Sequence, residues 1–235
     1  MRAIILAGGQ GTRLRPYTTL IPKPLVPLGN EISILEIVIK QLSECGFDHI
    51  TITVNHLSNL IIAFIGDGSK WNIKIDYSVE EKSLSTIGPL TLIKDLPEDF
   101  LVMNGDILCN LKFDEFYNYH VKNKNEVTVA TIKRDVKINL GVLQYDESNI
   151  IKGFFEKPVH NFDASMGINC INIKVIEKLP KGIKYGFDDL MMDGVKNKCQ
   201  YKVKPFKGFW LDIGMPEDYD YCNDNFIKIK KKLGI

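Results

Sequence analysis

Short apolar runs alternate along the chain with polar segments that carry a helical pattern. Residues 3–7 and 100–104 are near-continuous apolar runs, which is typical of strands buried on both faces of a parallel sheet. Residues 49–55 are rich in β-branched side chains, and residues 73–79 alternate between apolar and polar, so both are predicted strands. Strands that alternate with helices predict a parallel sheet whose loops line one edge.

Capping signals predict where the first intervening helix begins and ends. Ser33 with Glu36 three residues later forms a capping box, and Gly46 ends that helix after about residue 45. The remaining predicted elements are helices near residues 57–65 and 112–124, a helix after the polar turn at residues 80–90, and a strand over residues 126–133.

The composition fits one large α/β domain without a strong global charge. The chain has 235 residues, of which 45% are hydrophobic and 25% are charged, as in ordinary globular proteins. Its formal net charge of +1 gives no field that would attract nucleic acid. No nucleic-acid partner is therefore expected, and any anion site must be local.

Cysteine and histidine placement indicates neither a zinc site nor a disulfide framework. The 5 cysteines are scattered without a CxxC pair, and the 4 histidines have no metal-ligand spacing. Reduced thiols, and with them a cytoplasmic location, are the default expectation. The apolar run at residues 3–7 is too short for a secretion signal or a membrane span, so no membrane partner is expected.

The segment after the first predicted strand carries anion-binding chemistry. Three glycines within residues 8–11 permit a close backbone approach, and their amides can form an anion-binding concavity. Arg13 and Lys23 add cations at the carboxyl end of a buried strand, where phosphates bind in α/β folds. Leu14 breaks the dinucleotide-binding fingerprint, and no Gly-Lys-Ser/Thr follows, so neither common glycine motif applies.

A carboxylate is predicted at the same edge of the sheet. Asp106 follows the apolar strand at residues 100–104 after a single glycine. Mg²⁺ prefers one or two carboxylates together with substrate phosphates, which makes Asp106 a candidate ligand. An Asx turn or a helix N-cap is the alternative interpretation.

The glycine segment and three later segments resemble one family. Residues 6–16 read L-A-G-G-x-G-T-R-L-R-P and residues 23–27 read K-P-L-x-P, which resembles the signature of the sugar-1-phosphate nucleotidyltransferases, also called NDP-sugar pyrophosphorylases. The E-K-P turn at residues 156–158 and the W-x-D-I-G segment within residues 208–219 are similar to further motifs of that family. The resemblance implies a Rossmann-like three-layer α/β sandwich around a mostly parallel, mixed central sheet.

The resemblance also implies roles for individual residues. The nucleotide would be bound by Leu6, Ala7, Gly8, Gly9, Gly11, Thr12, Arg13, Lys23, Glu80, Glu81, Thr86, Gly88, Asn104 and Asp106. The sugar 1-phosphate would be bound by Gly141, Glu156, Lys157, Gly167 and Asn169. Arg13, Lys23 and Lys157 would be the catalytic cations, and Asp106 and Asp212 would hold Mg²⁺.

In the family that the chain resembles, the segment corresponding to residues 80–90 holds the nucleotide base, so we call it the base loop. It is most similar to the base loop of mannose-1-phosphate and heptose-1-phosphate guanylyltransferases, which reads like E-E-P-L-G-T-A-G-P-L. The departures from this pattern are Lys82, Ser83, Ser85 and Ile87. A separate argument also favours guanine, since its N1–H and 2-amino group are adjacent donors and an ionised carboxylate only accepts. Glu80 or Glu81 could supply that carboxylate.

The expected activity is therefore Mg²⁺-assisted in-line attack of a sugar 1-phosphate on a nucleoside triphosphate, giving an NDP-sugar and pyrophosphate. GTP and a mannose or manno-heptose 1-phosphate are the expected substrates. The alternatives are a thymidylyl- or uridylyltransferase acting on glucose 1-phosphate, and a non-catalytic subunit that senses an NDP-sugar.

A single domain is expected over residues 1–235, with a nucleotide-binding part at about 1–110 and a sugar-binding part at about 111–235. No hexapeptide repeat is found, so no C-terminal β-helix domain is expected. The oligomeric state is left open, a homo-oligomer included.

Overall fold

The computed structural model describes all residues from Met1 to Ile235. Its strands are β1 (Arg2–Leu6), β2 (Pro27–Leu28), β3 (Ile32–Ser33), β4 (His49–Val54), β5 (Lys74–Val79), β6 (Asp99–Asn104), β7 (Ile107–Cys109), β8 (Val127–Lys137), β9 (Gly141–Tyr145), β10 (Ile151–Glu156), β11 (Val159–Asn172), β12 (Lys202–Phe206) and β13 (Trp210–Asp212). Its α-helices are α1 (Ile34–Glu44), α2 (Ser58–Ile65), α3 (Phe113–Lys122), α4 (Ile173–Glu177), α5 (Phe187–Lys196), α6 (Pro216–Asp224) and α7 (Phe226–Leu233).

A seven-stranded sheet in the order β12-β8-β11-β6-β1-β4-β5 forms the centre of the fold. β6, β1, β4 and β5 run parallel to one another, and β12 runs parallel to β8. β11 is antiparallel to both of its neighbours, β6 and β8. The sheet is thus mixed and mostly parallel with helices around it, which confirms the predicted α/β fold class.

Successive side chains of the central strands pack into hydrophobic clusters on opposite faces of the sheet. In β1, Ala3 and Ile5 belong to the largest cluster, whereas Ile4 belongs to a second cluster, and all three are fully buried. Because both faces are covered, β1 has no polar alternation, and this explains its near-continuous apolar sequence.

The capping box predicted for α1 is confirmed. The Glu36 amide donates to the Ser33 hydroxyl at 3.3 Å, and the Ser33 amide donates to the Glu36 carboxylate at 3.0 Å. The helix predicted after residues 80–90 is only a 3₁₀ helix at Gly88–Leu92, with a proline in its first turn. The amides of Ile87, which caps this helix, and of Gly88, its first residue, both donate to the Tyr185 carbonyl and fix where the helix begins.

Several strands extend beyond the predicted ones. β8 continues to Lys137 instead of ending at residue 133, and β11 covers fourteen residues. The outer parts of both strands are exposed, so they carry no continuous apolar signal. The adjoining hairpin of β9 and β10 pairs only with itself and is exposed along most of its length. None of the α-helices combines the length and the apolar character needed to cross a bilayer.

Candidate functional site

A cavity of about 320 Å³ opens at the carboxyl ends of β1, β4 and β6; we call it the loop cavity. Twelve of the fourteen residues predicted to bind a nucleotide line it: Leu6, Ala7, Gly8, Gly9, Gly11, Thr12, Arg13, Lys23, Glu80, Thr86, Asn104 and Asp106. The other two lie outside the lining. Glu81 is exposed, and Gly88 is buried with its amide donating to the Tyr185 carbonyl at 2.9 Å.

Gly11 folds the loop after β1 back over the cavity. It has a φ of 62°, a conformation that favours glycine, and its carbonyl accepts from the Leu14 amide at 3.0 Å and the Thr18 hydroxyl at 2.7 Å. A Cβ at Gly11 would lie 3.1 Å from the Lys23 Cβ. The glycine therefore allows the loop and the Lys23 segment to pack closely on the same side of the cavity.

Lys23 forms an ion pair with Asp106 at the floor of the loop cavity. The lysine is buried, with 9% of its surface exposed, and it lies in a 3₁₀ helix that also contains Pro24. Only one Asp106 oxygen takes part in this pair, and the other, Oδ1, is buried without a hydrogen-bond partner. The carboxylate thus keeps an acceptor position that the protein itself does not satisfy.

Asp212 lies beside Asp106 because two short strands pair. Asp212 in β13 is opposite Ile107 in β7, and the Ile213 amide donates to the Asp106 carbonyl at 3.2 Å. Burial raises the pKa of Asp212, and the nearby Asp106 charge raises it further, while Lys23 and Arg13 oppose the shift. The two neighbouring carboxylates repel each other, and one of them has an oxygen without a hydrogen-bond partner. Such a pair is suited to binding a divalent cation.

The protein offers these two carboxylates and no larger ligand set. No group of three or more histidine, cysteine, aspartate or glutamate side chains is arranged to hold a metal ion. That pattern suits Mg²⁺, which uses few protein ligands and completes its shell with phosphate oxygens and water, better than it suits a structural zinc site.

Glu80, and not Glu81, presents a carboxylate to the loop cavity. Glu80 is only 6% exposed, and its Oε2 accepts from the Leu84 amide at 3.0 Å. Burial raises the pKa of Glu80, and the Leu84 amide partly offsets that rise. Its other oxygen, Oε1, lies over Gly8, where an added Cβ would come within 2.9 Å of it. Gly8 therefore leaves the space that this carboxylate occupies.

A second cavity of about 250 Å³ adjoins the loop cavity and shares Leu6, Thr86 and Asn104 with it; we call it the side cavity. Gly167, Asn169 and Asp212 line it. Asn169 is 6% exposed, and its Oδ1 has no hydrogen-bond partner. The side cavity therefore brings together two of the predicted sugar-binding residues and one predicted metal ligand.

The remaining predicted sugar residues line neither cavity. Gly141, Glu156 and Lys157 are exposed on the hairpin of β9 and β10, and the Lys157 Nζ lies 3.6 Å from the Glu156 Oε1. Lys157 also has a φ of 46°, which is unusual for a residue with a side chain. The structure thus keeps these three residues together but apart from Asp106 and Asp212.

Some residues that line the cavities were not singled out as binding residues from the sequence. In the loop cavity these are Pro24, Thr53, Ser83, Ser85, Gly105 and Gly214. The side cavity adds Trp210, whose indole N–H donates to the Met166 carbonyl at 3.0 Å. For Ser83 and Ser85 the sequence did contain a signal, because both differ from the family pattern that the rest of the base loop resembles.

The two cavities offer charge and backbone amides and no activated nucleophile. No histidine or cysteine lines either cavity. His120 is fully buried elsewhere, within 2.8 Å of the Thr128 hydroxyl and 3.1 Å of Asp99, and burial lowers its pKa. This arrangement suits chemistry that depends on positioning and charge neutralisation, such as phosphoryl transfer.

Comparison with known proteins places the chain among nucleotidyl transferases. The family model described as nucleotidyl transferase matches residues 2–228. A probable mannose-1-phosphate guanylyltransferase 1 of Oryza sativa subsp. japonica is 37% identical over 233 residues, and a mannose-1-phosphate guanyltransferase of Aspergillus fumigatus is 36% identical over 232. Each match covers 93% of this chain, but the chain spans only 63% and 62% of those relatives.

A solved structure supports the same fold. The crystal structure of HddC from Yersinia pseudotuberculosis, complexed with GMP-PN, superposes with a TM-score of 0.73 at 25% sequence identity. The match covers 96% of this chain and 99% of HddC. The observed fold is therefore common to both chains over nearly their whole length.

Proposed function

The chain belongs to the nucleotidyl transferase family, and we propose that it joins GTP to a sugar 1-phosphate of the mannose type and releases pyrophosphate. The observation that carries this proposal is the convergence of the glycine loop, Lys23, Asp106 and the buried Glu80 carboxylate on one cavity. The mannose-1-phosphate guanyl- and guanylyltransferase relatives and the complex of HddC with GMP-PN support guanine as the base. Manno-configured heptose 1-phosphates fall within the same proposed substrate class.

The proposed reaction is an in-line displacement at the α-phosphorus of GTP. A phosphate oxygen of the sugar 1-phosphate forms the new bond to that phosphorus, and the bond to the oxygen that bridges the α- and β-phosphates breaks. The electron pair of the broken bond leaves with pyrophosphate, so no protein group becomes covalently attached. Because both reactants are anions, the site must mainly position them and neutralise their charge.

Asp106 and Asp212 are proposed to hold Mg²⁺. They are adjacent through the pairing of β7 with β13, and the buried Oδ1 of Asp106 has no partner within the chain. When bound, the ion supplies charge neutralisation and polarisation at the α-phosphate. Lys23, which is paired with Asp106 in this structure, would then be free to turn toward a phosphate oxygen.

Arg13 and Lys157 are proposed to act on the two ends of the reacting phosphates. Arg13 is exposed at the rim of the loop cavity, where it can neutralise the departing β- and γ-phosphates. Lys157 is proposed to anchor the phosphate of the incoming sugar. Since Lys157 lies on the exposed hairpin of β9 and β10, this role requires that the hairpin move toward the side cavity.

The proposed division of the single domain is consistent with the cavities. Every residue that lines the loop cavity comes from residues 1–110 except Gly214. The side cavity combines residues of that part with Ser165, Gly167, Asn169 and others from residues 111–235. We therefore propose that the first part binds the nucleotide and that the second part completes the sugar site.

Measurement of pyrophosphate release for several substrate pairs tests this function. GTP, ATP, UTP and dTTP are each combined with mannose 1-phosphate, a manno-heptose 1-phosphate and glucose 1-phosphate in the presence of Mg²⁺. The expected result is the highest kcat/KM for GTP with a mannose-type sugar, by about 10²-fold or more over UTP and dTTP. A preference for UTP or dTTP with glucose 1-phosphate contradicts the proposal, and no turnover with any pair favours a non-catalytic sensor.

Gly8→Ala is expected to raise the KM for GTP by about tenfold or more, because the new Cβ would come within 2.9 Å of the Glu80 Oε1 and displace it. Gly153→Ala is the matched control, since Gly153 lies in β10 outside both cavities and an added Cβ would come no closer than 3.2 Å to another atom, the Gln144 Oε1. Steady-state kinetics with GTP as the varied substrate separates the two variants. Equal KM values for both variants would show that the Glu80 carboxylate does not contact the nucleotide.

A further inference from the structure

Ser85 adopts a backbone conformation that a glycine would adopt more easily. Its φ is 68°, in the left-handed region that side chains disfavour. Eight non-glycine residues of the chain have a positive φ, and Ser85 is the one among them that lines the loop cavity. The base loop that residues 80–90 resemble carries a glycine at this position, so this chain keeps a side chain where the backbone favours none.

Strained backbone of this kind occurs in ordinary turns and also clusters at ligand-binding sites, and at Ser85 it lies on the wall of the loop cavity. Ser85 contributes only a hydroxymethyl group, and it is exposed at the cavity, so it adds nothing to the hydrophobic core. The neighbouring Thr86 hydroxyl accepts from the Phe187 amide at 2.7 Å and has a structural role. The Ser85 hydroxyl makes no hydrogen bond within the chain and is available to a ligand.

The position of Ser85 relative to Glu80 suggests which ligand atom it meets. The Leu84 amide donates to the Glu80 Oε2 at 3.0 Å, so the residue directly before Ser85 is held against that carboxylate. A carboxylate accepts hydrogen bonds, whereas a serine hydroxyl can also donate one. Because Glu80 and Ser85 both line the loop cavity, the loop offers a carboxylate acceptor and a hydroxyl donor to the same ligand.

We propose that the Ser85 hydroxyl donates a hydrogen bond to O6 of guanine while Glu80 accepts from N1–H and the 2-amino group. This inference rests on the proposed transfer from GTP. Guanine presents the O6 acceptor beside its N1–H donor, so it can use a hydroxyl donor and a carboxylate acceptor that line one cavity. Adenine has an amino group in place of O6 and an unprotonated N1, so its N1 would face the Glu80 carboxylate without a proton between them. Ser85 is thus a specificity-determining residue.

Two substitutions separate the effect of the Ser85 hydroxyl on GTP binding from the effect of its strained backbone on stability. Ser85→Ala removes the hydroxyl and keeps a side chain at a positive φ, whereas Ser85→Gly removes both. Both are expected to raise the KM for GTP by about 3- to 10-fold with kcat little changed, as for the loss of one hydrogen bond to a remote part of the substrate. Only Ser85→Gly is expected to raise the melting temperature, by about 1–3 °C.

Lys124→Gly is the matched control for the relief of strain. Lys124 has a φ of 51° and is exposed just after α3, outside both cavities. Its substitution is expected to raise the melting temperature in the same way and to leave the KM for GTP unchanged. A fall in the melting temperature of Ser85→Gly would contradict the argument from strain.

Nucleotide analogues test the assignment to O6. Ser85→Ala should weaken ITP, which keeps O6 and N1–H, by the same factor as GTP. It should change the Ki of 2-aminopurine riboside triphosphate, which lacks O6, by less than about twofold. An unchanged KM for GTP, or an equal loss with the analogue that lacks O6, overturns the proposal. If the wild-type enzyme prefers UTP or dTTP, the guanylyl transfer itself fails, and that result is distinct from a failure of Ser85 alone.

Discussion

Asp212→Asn is expected to lower kcat by about 10²–10³-fold without lowering the melting temperature. Turnover falls because the amide is a poor ligand for Mg²⁺ and cannot neutralise it. The fold is retained because burial and the neighbouring Asp106 already raise the pKa of Asp212, so the loss of this charge relieves repulsion in the folded state. Initial rates of pyrophosphate release and thermal unfolding without added divalent cation measure the two effects.

Asp224→Asn is the matched control for this variant. Asp224 is an exposed carboxylate at the end of α6, outside both cavities, so its loss should change neither quantity. A kcat for Asp212→Asn close to that of the wild type would refute the metal assignment. A large fall in its melting temperature would show instead that Asp212 has a structural role.

Lys23→Met is expected to lower both turnover and stability. Turnover should fall by about 10²–10³-fold, because the lysine is proposed to neutralise charge near the α-phosphate. The free energy of unfolding should fall by about 2–3 kcal/mol, since the variant leaves the Asp106 carboxylate without its ion-pair partner. The side chains of this pair are only 11% and 22% exposed, so water screens the charge weakly.

The double variant Lys23→Met with Asp106→Asn separates these two effects. It removes the unpaired charge, so it should recover most of the lost stability but none of the turnover. Lys178→Met is the control for the loss of an ordinary ion pair. Lys178 lies 3.4 Å from Glu126, but the two side chains are 68% and 42% exposed, and its loss should cost less than about 1 kcal/mol. Equal stability of Lys23→Met and the wild type would contradict a structural contribution of the Lys23 pair.

The parts of the fold that could be predicted from sequence are those whose burial leaves a regular pattern. β1 and β6 are buried on both faces and read as apolar runs, and α1 carries both halves of its capping box. The outer half of β11 and the strand β12 left no such signal, because their side chains are exposed and β12 is an edge strand rich in lysine. These elements are held by pairing with β8, a long-range contact that no local pattern encodes.

Site residues that come just after a strand of the central sheet could be predicted from the sequence. Those placed by pairing between segments distant in the chain could not. Asp106 follows a predicted strand after a single glycine. Asp212 reaches it only because β7 and β13, each three residues long, form a ladder, and such short strands cannot be recognised from sequence. Only the resemblance to a known family pointed to Asp212.

The choice between Glu80 and Glu81 also required the structure. Both residues follow β5 in a polar turn, but one is 6% exposed in the loop cavity and the other is on the surface. The backbone direction at the end of β5 decides which of the two points inward, and composition carries no information about it. For Lys157 the resemblance predicted a role in the site, and the structure holds it on a separate hairpin.

A crystal structure of the protein with a non-hydrolysable GTP analogue and Mn²⁺ would show whether the glycine loop and the two aspartates bind one triphosphate and its metal ion. We expect one anomalous manganese peak within about 2.2 Å of carboxylate oxygens of both Asp106 and Asp212, with the triphosphate on the loop from Gly8 to Arg13. A triphosphate bound away from the loop cavity, or a manganese peak that touches neither aspartate, would rule out this assignment of the site.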